Sequence, residues 1–267
     1  ILDYEWAEPQ PIKKRIPPLI TVPTTAGTGS EVTFASVVTD TDRNYKFVVW
    51  SHLLAPKVAI LEPSLLTTAP KSVIIAAGMD ALTHAIESYV SKLANVYTEQ
   101  FALHAIELIS RNLPVFVADP TNLDAADKML TASNLAGIAF TNTRLGIVHA
   151  MALPPSALFD VPHGIANTIL LPHGMEFNRI GNPSKFAQIA YAMGEGVSNI
   201  REGSILAADA VRKLAGDIGA PMRLSEVGVR SDSIPKMAED AMKSSHLAVN
   251  PRKVTKEDVI RIYNDAF

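Results

Sequence analysis

The sequence predicts a mainly α-helical protein, in which a small α/β piece over residues 1–68 is followed by an all-helical domain over 69–267. Three observations carry this expectation. Strand-like segments with period-two or β-branched character are confined to the first 62 residues. From Ser72 onward apolar residues recur almost only with the helical period. With 267 residues, 48% of them hydrophobic, the chain is long enough to bury a sizeable core.

In order along the chain, residues 1–18 are polar and proline-rich and read as an extended entry segment. Strands are expected at 18–23 (PLITVP), 31–40 (EVTFASVVTD), 45–50 (YKFVVW) and 58–62 (VAILE), with TDRN as the turn between the second and third. Helices are expected near 72–93, 97–113, 123–140, 182–194, 201–218, 232–245 and 255–266. Ser72, Asn122, Pro183-Ser184 and Thr255 with Asp258 supply their start signals. A further apolar segment carrying His149 is expected to end before Pro154-Pro155, and a new helix can begin at His163, after Pro162.

The net charge of -3, from 24 basic and 27 acidic residues spread along the chain, points to neither nucleic acid nor membrane. No uninterrupted apolar run reaches the roughly eighteen residues needed to span a bilayer. The absence of cysteine excludes disulfides and thiolate metal sites and is compatible with a cytoplasmic location.

The chemistry-bearing residues are Asp80 and His84 in GMDALTHAIESY, then His149 and His163 in HAMALPPSALFDVPHG. Four residues apart, Asp80 and His84 share one helix face, and the apolar surroundings predict that both are buried. A buried carboxylate needs a cation or hydrogen bonds to compensate it, and one carboxylate with three imidazoles suits a divalent transition metal such as Fe²⁺ or Zn²⁺. Glu87 reads as an ordinary helix-surface glutamate, with a second reading as the partner that orients an imidazole. His173 reads as a structural histidine or pocket wall, His104 as a packed helical histidine, and His52 and His246 as exposed. The loop TTAGTGSE, residues 24–31, offers hydroxyls and the backbone N–H groups of Gly27 and Gly29 to a phosphate or an amide.

Taken together and in this order, TTAGTGSE, GMDALTHAIESY, HAMAL and DVPHGIANTILLPH resemble the iron-containing (group III) alcohol dehydrogenase family, from about residue 18 to the end. The resemblance implies a dehydroquinate-synthase-like architecture: an α/β dinucleotide-binding domain, here a small β-rich remnant, then a helical metal-binding domain. It implies Asp80, His84, His149 and His163 as metal ligands, Fe²⁺ or Zn²⁺ as the metal, and NAD or NADP approached by Thr24, Thr25, Gly27, Thr28 and Gly29, with Val37 and Lys46 nearby. The implied reaction is hydride transfer between NAD(P) and a primary alcohol or diol, or the reverse with an aldehyde, in a homodimer. Two departures accompany it. No GGGS-x-x-D loop precedes TTAGTGSE and the first residue is not Met, so a chain lacking most of the nucleotide domain is expected. Leu153 stands where many members carry a histidine assigned to proton transfer. A dehydroquinate-synthase-like lyase, a polyol dehydrogenase and a metal-binding domain without turnover stay open as alternatives.

Overall fold

The computed structural model describes residues 1–4, 10–42 and 45–267, and of Tyr45 and Lys46 the backbone alone. Parts of the entry segment and of the TDRN turn thus lie outside the described residues. Four short strands come first: β1 (Ile20–Thr21), β2 (Ala35–Asp40), β3 (Tyr45–Trp50) and β4 (Val58–Ala59). β2 and β3 form an antiparallel hairpin with Ala35 opposite Trp50, and β1 runs parallel to β4 with Ile20 opposite Val58. The strand expected over 31–40 begins only at Ala35, because Ser30–Val32 forms a 3₁₀ turn instead.

Nine helices follow among the described residues: α1 (Lys71–Val90), α2 (Val96–Ala118), α3 (Leu123–Thr143), α4 (Ile147–Leu158), α5 (His163–Arg179), α6 (Pro183–Ala192), α7 (Ile200–Asp217), α8 (Ile234–Ala241) and α9 (Lys256–Asp265). α1 is the central element, packed against α2, α3 and α5. Every residue from Gly78 to Val90 is buried, the polar Asp80, Thr83, His84, Glu87 and Ser88 included. α2 is long and apolar enough by length and composition to cross a membrane, yet here it buries Ala102, Ala105, Ile106, Ile109 and Leu113 in the helical core. Asn95 and Thr98 form a capping box at its start, and Thr255 with Asp258 does the same for α9. Asn122 caps α3 as expected, whereas the residue before α1 is Pro70 and Ser72 lies inside the helix without capping it.

Prolines do not stop three of the described helices. α2 runs through Pro114, α5 runs through Pro172, and α4 continues past Pro154 and Pro155 to Leu158. Proline at 155 removes the N–H that would bond the Met151 carbonyl four residues back. That carbonyl instead accepts a hydrogen bond of 2.6 Å from the buried Tyr263 hydroxyl of α9, so a distant helix supplies what the local sequence withholds. Tyr263→Phe is expected to cost roughly 1–3 kcal/mol, the penalty for an orphaned buried carbonyl, read as a lower midpoint in denaturant unfolding.

Candidate metal centre

Three helices bring the site together. Asp80 and His84 project from the buried middle of α1, His149 from the first turn of α4, and His163 is the first residue of α5. α1 and α5 meet at Gly164, where a Cβ would lie 2.1 Å from the carbonyl oxygen of Ala76. No other residue fits this approach, and it sets His163 close to Asp80.

Among the described residues, one ligand atom each from Asp80, His149 and His163 fall within 4.8 Å of one another. The Nε2 atoms of His149 and His163 lie 3.7 and 3.9 Å from Asp80 Oδ1. Asp80 and His149 are buried, while the His163 side chain retains 36% exposure and so marks the open side. His84 stands beside this trio. Its Nδ1 donates to the Gly27 carbonyl at 3.3 Å and lies 3.9 Å from Asp80 Oδ2, and its ring stacks between Phe140 and His149.

Glu87, read from sequence first as a surface glutamate, is buried and belongs to the centre. One turn on from His84, its carboxylate accepts from His149 Nδ1 at 2.7 Å, from the Val148 backbone N–H at 2.7 Å and from the His149 N–H at 3.3 Å. Asn250 Oδ1 accepts from the Ile147 N–H at 3.1 Å. Between them they cap α4, whose own preceding residue is Gly146; a Cβ there would sit 2.8 Å from Glu87 Oε1. With Nδ1 donating to Glu87, the His149 ring turns Nε2 toward Asp80 and His163 and presents a lone pair there whenever that nitrogen is unprotonated.

Electrostatics follow from this layout. Burial works to raise the Asp80 pKa, but the His84, His149 and His163 imidazoles outweigh it and hold the carboxyl well below the usual carboxylate range. Burial pulls His149 down, and Asp80 and Glu87 overcome it, leaving a pKa of about 9. In His84 burial prevails over Asp80, and the pKa falls to about 4. The site therefore holds a permanent carboxylate and imidazoles turned toward one point.

Two further residues at the centre, Asn167 and His246, are not read as part of it from sequence. Asn167, fully buried one turn beyond His163, places Nδ2 at 2.7 Å from Asp80 Oδ1 and 3.2 Å from both His149 Nε2 and His163 Nε2. His246, expected to be exposed, is only partly so: its ring packs edge-on to His149 at 6.4 Å, burial lowers its pKa to about 4, and its Nδ1 is buried with no hydrogen-bond partner among the described residues. The i+4 spacing from His163 was the available signal for Asn167; for His246, in a polar stretch, there was none. His104, expected to be packed, is exposed beside Glu107, whereas His173 is half-buried as a structural histidine would be.

The cofactor candidates are spread more widely. Thr24 and Thr28 are exposed and Thr25 is half-buried, while Gly27 and Gly29 are buried against Ala77 of α1 and Gly137 of α3. Their glycines thus serve close packing of the loop on the helices. Val37 is 63% exposed on β2, Leu153 is 37% exposed on α4, and the Lys46 side chain lies outside the described residues.

Comparison with known proteins identifies the family. Residues 74–267 match the profile of the Fe-containing alcohol dehydrogenase family, C-terminal, and residues 1–63 match that of iron-containing alcohol dehydrogenase. This chain belongs to the iron-containing alcohol dehydrogenase family. Among the relatives of this family member, the 1,3-propanediol dehydrogenase of Klebsiella pneumoniae is 44% identical over 266 residues, which is 99% of this chain and 69% of that protein. The NAD-dependent methanol dehydrogenase of Bacillus methanolicus is 37% identical over 271 residues, covering 100% of this chain and 70% of that one. The crystal structure of 1,3-propanediol oxidoreductase superposes with a TM-score of 0.94 at 45% identity, covering 96% of this chain and 68% of the other. The family member is thus an enzyme of the alcohol or diol dehydrogenase and aldehyde reductase type, mainly α with a small sheet, as its sequence motifs predicted.

Proposed function

We propose that the chain acts as an NAD(P)-dependent dehydrogenase of short primary alcohols or diols, reversible as an aldehyde reductase, with a divalent cation held by Asp80, His149 and His163 and with His84 as the fourth candidate ligand. The convergence of the three ligand atoms within 4.8 Å carries this reading. The donor set fits the cation: one carboxylate held ionised, an imidazole whose outer nitrogen is tied to Glu87, and a second imidazole on the exposed side suit Fe²⁺ or Zn²⁺. When bound, the cation supplies a Lewis acid for the substrate oxygen, and NAD(P) supplies the hydride acceptor.

The chain's own residues do the rest. Asp80 provides negative charge in a buried place, and Glu87 fixes the His149 tautomer so that Nε2 faces inward. His163, the least buried of the three, sets the side from which substrate arrives. The names of the relatives favour short alcohols and diols as substrates, and one of those names favours NAD. The test is a spectrophotometric assay of the purified protein with 1,3-propanediol and methanol, each with NAD⁺ and NADP⁺, after loading with Fe²⁺ or Zn²⁺. Reduced nucleotide should form with at least one pair. Stoichiometric cation without any nucleotide reduction would leave a metal-binding protein and remove the dehydrogenase assignment.

A further inference from the structure

Asn167 does something more specific than fill space. Its amide nitrogen lies at the point on which the ligand atoms converge, 2.7 Å from Asp80 Oδ1 and 3.2 Å from the Nε2 atoms of His149 and His163. An amide carries two hydrogens, so it can serve at most two of these three groups at once. At its other end Oδ1 is buried with no hydrogen-bond partner among the described residues. Among the described residues the side chain thus makes its polar contacts through the amide nitrogen alone, in a residue with no exposed surface.

Resting on the metal-centre reading above, we infer that Asn167 is a built-in competitor of the cation, its amide taking the shared position among Asp80, His149 and His163 and giving it up when the cation enters. A cation can contact all three donors together, which two N–H groups cannot, so it wins the position; but uptake carries the cost of displacing two amide hydrogen bonds. The amide in turn keeps Asp80 and the imidazoles at their spacing when the cation leaves, which favours reloading and exchange between metals over collapse of the site. Asn167 is a positioning residue in this scheme. It lies four residues beyond His163 on α5, so the same helix carries a ligand and its rival.

The experiment compares the wild type with Asn167→Ala and Asn167→Ser after chelator treatment, by competitive Zn²⁺ titration against a chromophoric chelator and by thermal unfolding with and without Zn²⁺. Both variants should bind Zn²⁺ roughly tenfold more tightly than wild type, the worth of the lost amide hydrogen bonds. Their Tm should fall below wild type in the chelator-treated form and match it when saturated with Zn²⁺. Unchanged or weaker Zn²⁺ binding, or an equal Tm deficit in both forms, overturns the inference and makes Asn167 an ordinary buried polar residue or a ligand. Failure of the metal-centre reading looks different: the wild type then binds no stoichiometric Zn²⁺, and the inference falls with it. If the alanine variant does not fold without the cation, the serine variant, with a smaller void, decides.

Discussion

Asp80→Ala is expected to leave a folded protein with no tightly held cation and no measurable alcohol oxidation. The carboxylate is the only negative charge in the trio and is buried among three imidazoles that hold it ionised. Without it, His149 and His163 offer two nitrogens and no compensating charge, and Asn167 loses its 2.7 Å acceptor. Losing a direct ligand exceeds the roughly 10–100-fold drop in metal affinity typical of losing an outer partner. Metal analysis of the purified variant, with circular dichroism to confirm folding, is the check. Retention of one cation per chain in Asp80→Ala would remove Asp80, and with it the trio, from the metal assignment. His163→Ala should follow the same pattern with a smaller effect on stability, because His163 is the partly exposed member.

Glu87 should separate into two effects according to the replacement. Glu87→Ala deletes an acceptor of three buried hydrogen bonds and leaves the first-turn N–H groups of Val148 and His149 unpaired. It is expected to destabilise by roughly 3–5 kcal/mol, as removal of one partner of a buried charged pair does. Glu87→Gln retains one carbonyl oxygen for the Val148 N–H, but an amide NH₂ facing His149 Nδ1 forces the proton to Nε2. The ring then points a donor, where a lone pair is needed, at Asp80 and His163. The expected result is near-normal thermal stability with a roughly 10–100-fold loss of Zn²⁺ affinity. Equal Zn²⁺ affinity in Glu87→Gln and wild type would reduce Glu87 to a helix cap.

The contrast between Asp80 and Glu87 shows what a sequence can disclose about such a centre. Asp80 and His84 were legible because their spacing places them on one helix face and their neighbours are apolar enough to require burial. Glu87 obeys the same spacing, but its meaning depends on α4 arriving with an uncapped first turn, a fact of tertiary packing alone. Asn167 and His246 are the same kind of case, since each acquires its role from partners distant in sequence. The prolines misled in the opposite direction. Pro154-Pro155 reads locally as a helix end, yet the Tyr263 hydroxyl reaches the carbonyl that Pro155 leaves bare and the helix continues. The strands at 45–50 and the capping box at Thr255 were read correctly because their signals are complete within a few residues.

The backbone contact between Gly164 and Ala76 has a consequence for how this protein can vary. Most distances in a core depend on layers of side chains that drift as neighbours are exchanged. Here the spacing between the helix that carries Asp80 and the one that begins with His163 is fixed by main chain against main chain, with no side chain interposed. Substitutions elsewhere in the helical core can therefore accumulate, and the core can expand with temperature, while those two ligands keep their separation. The chemistry is insulated from the drift of the scaffold around it.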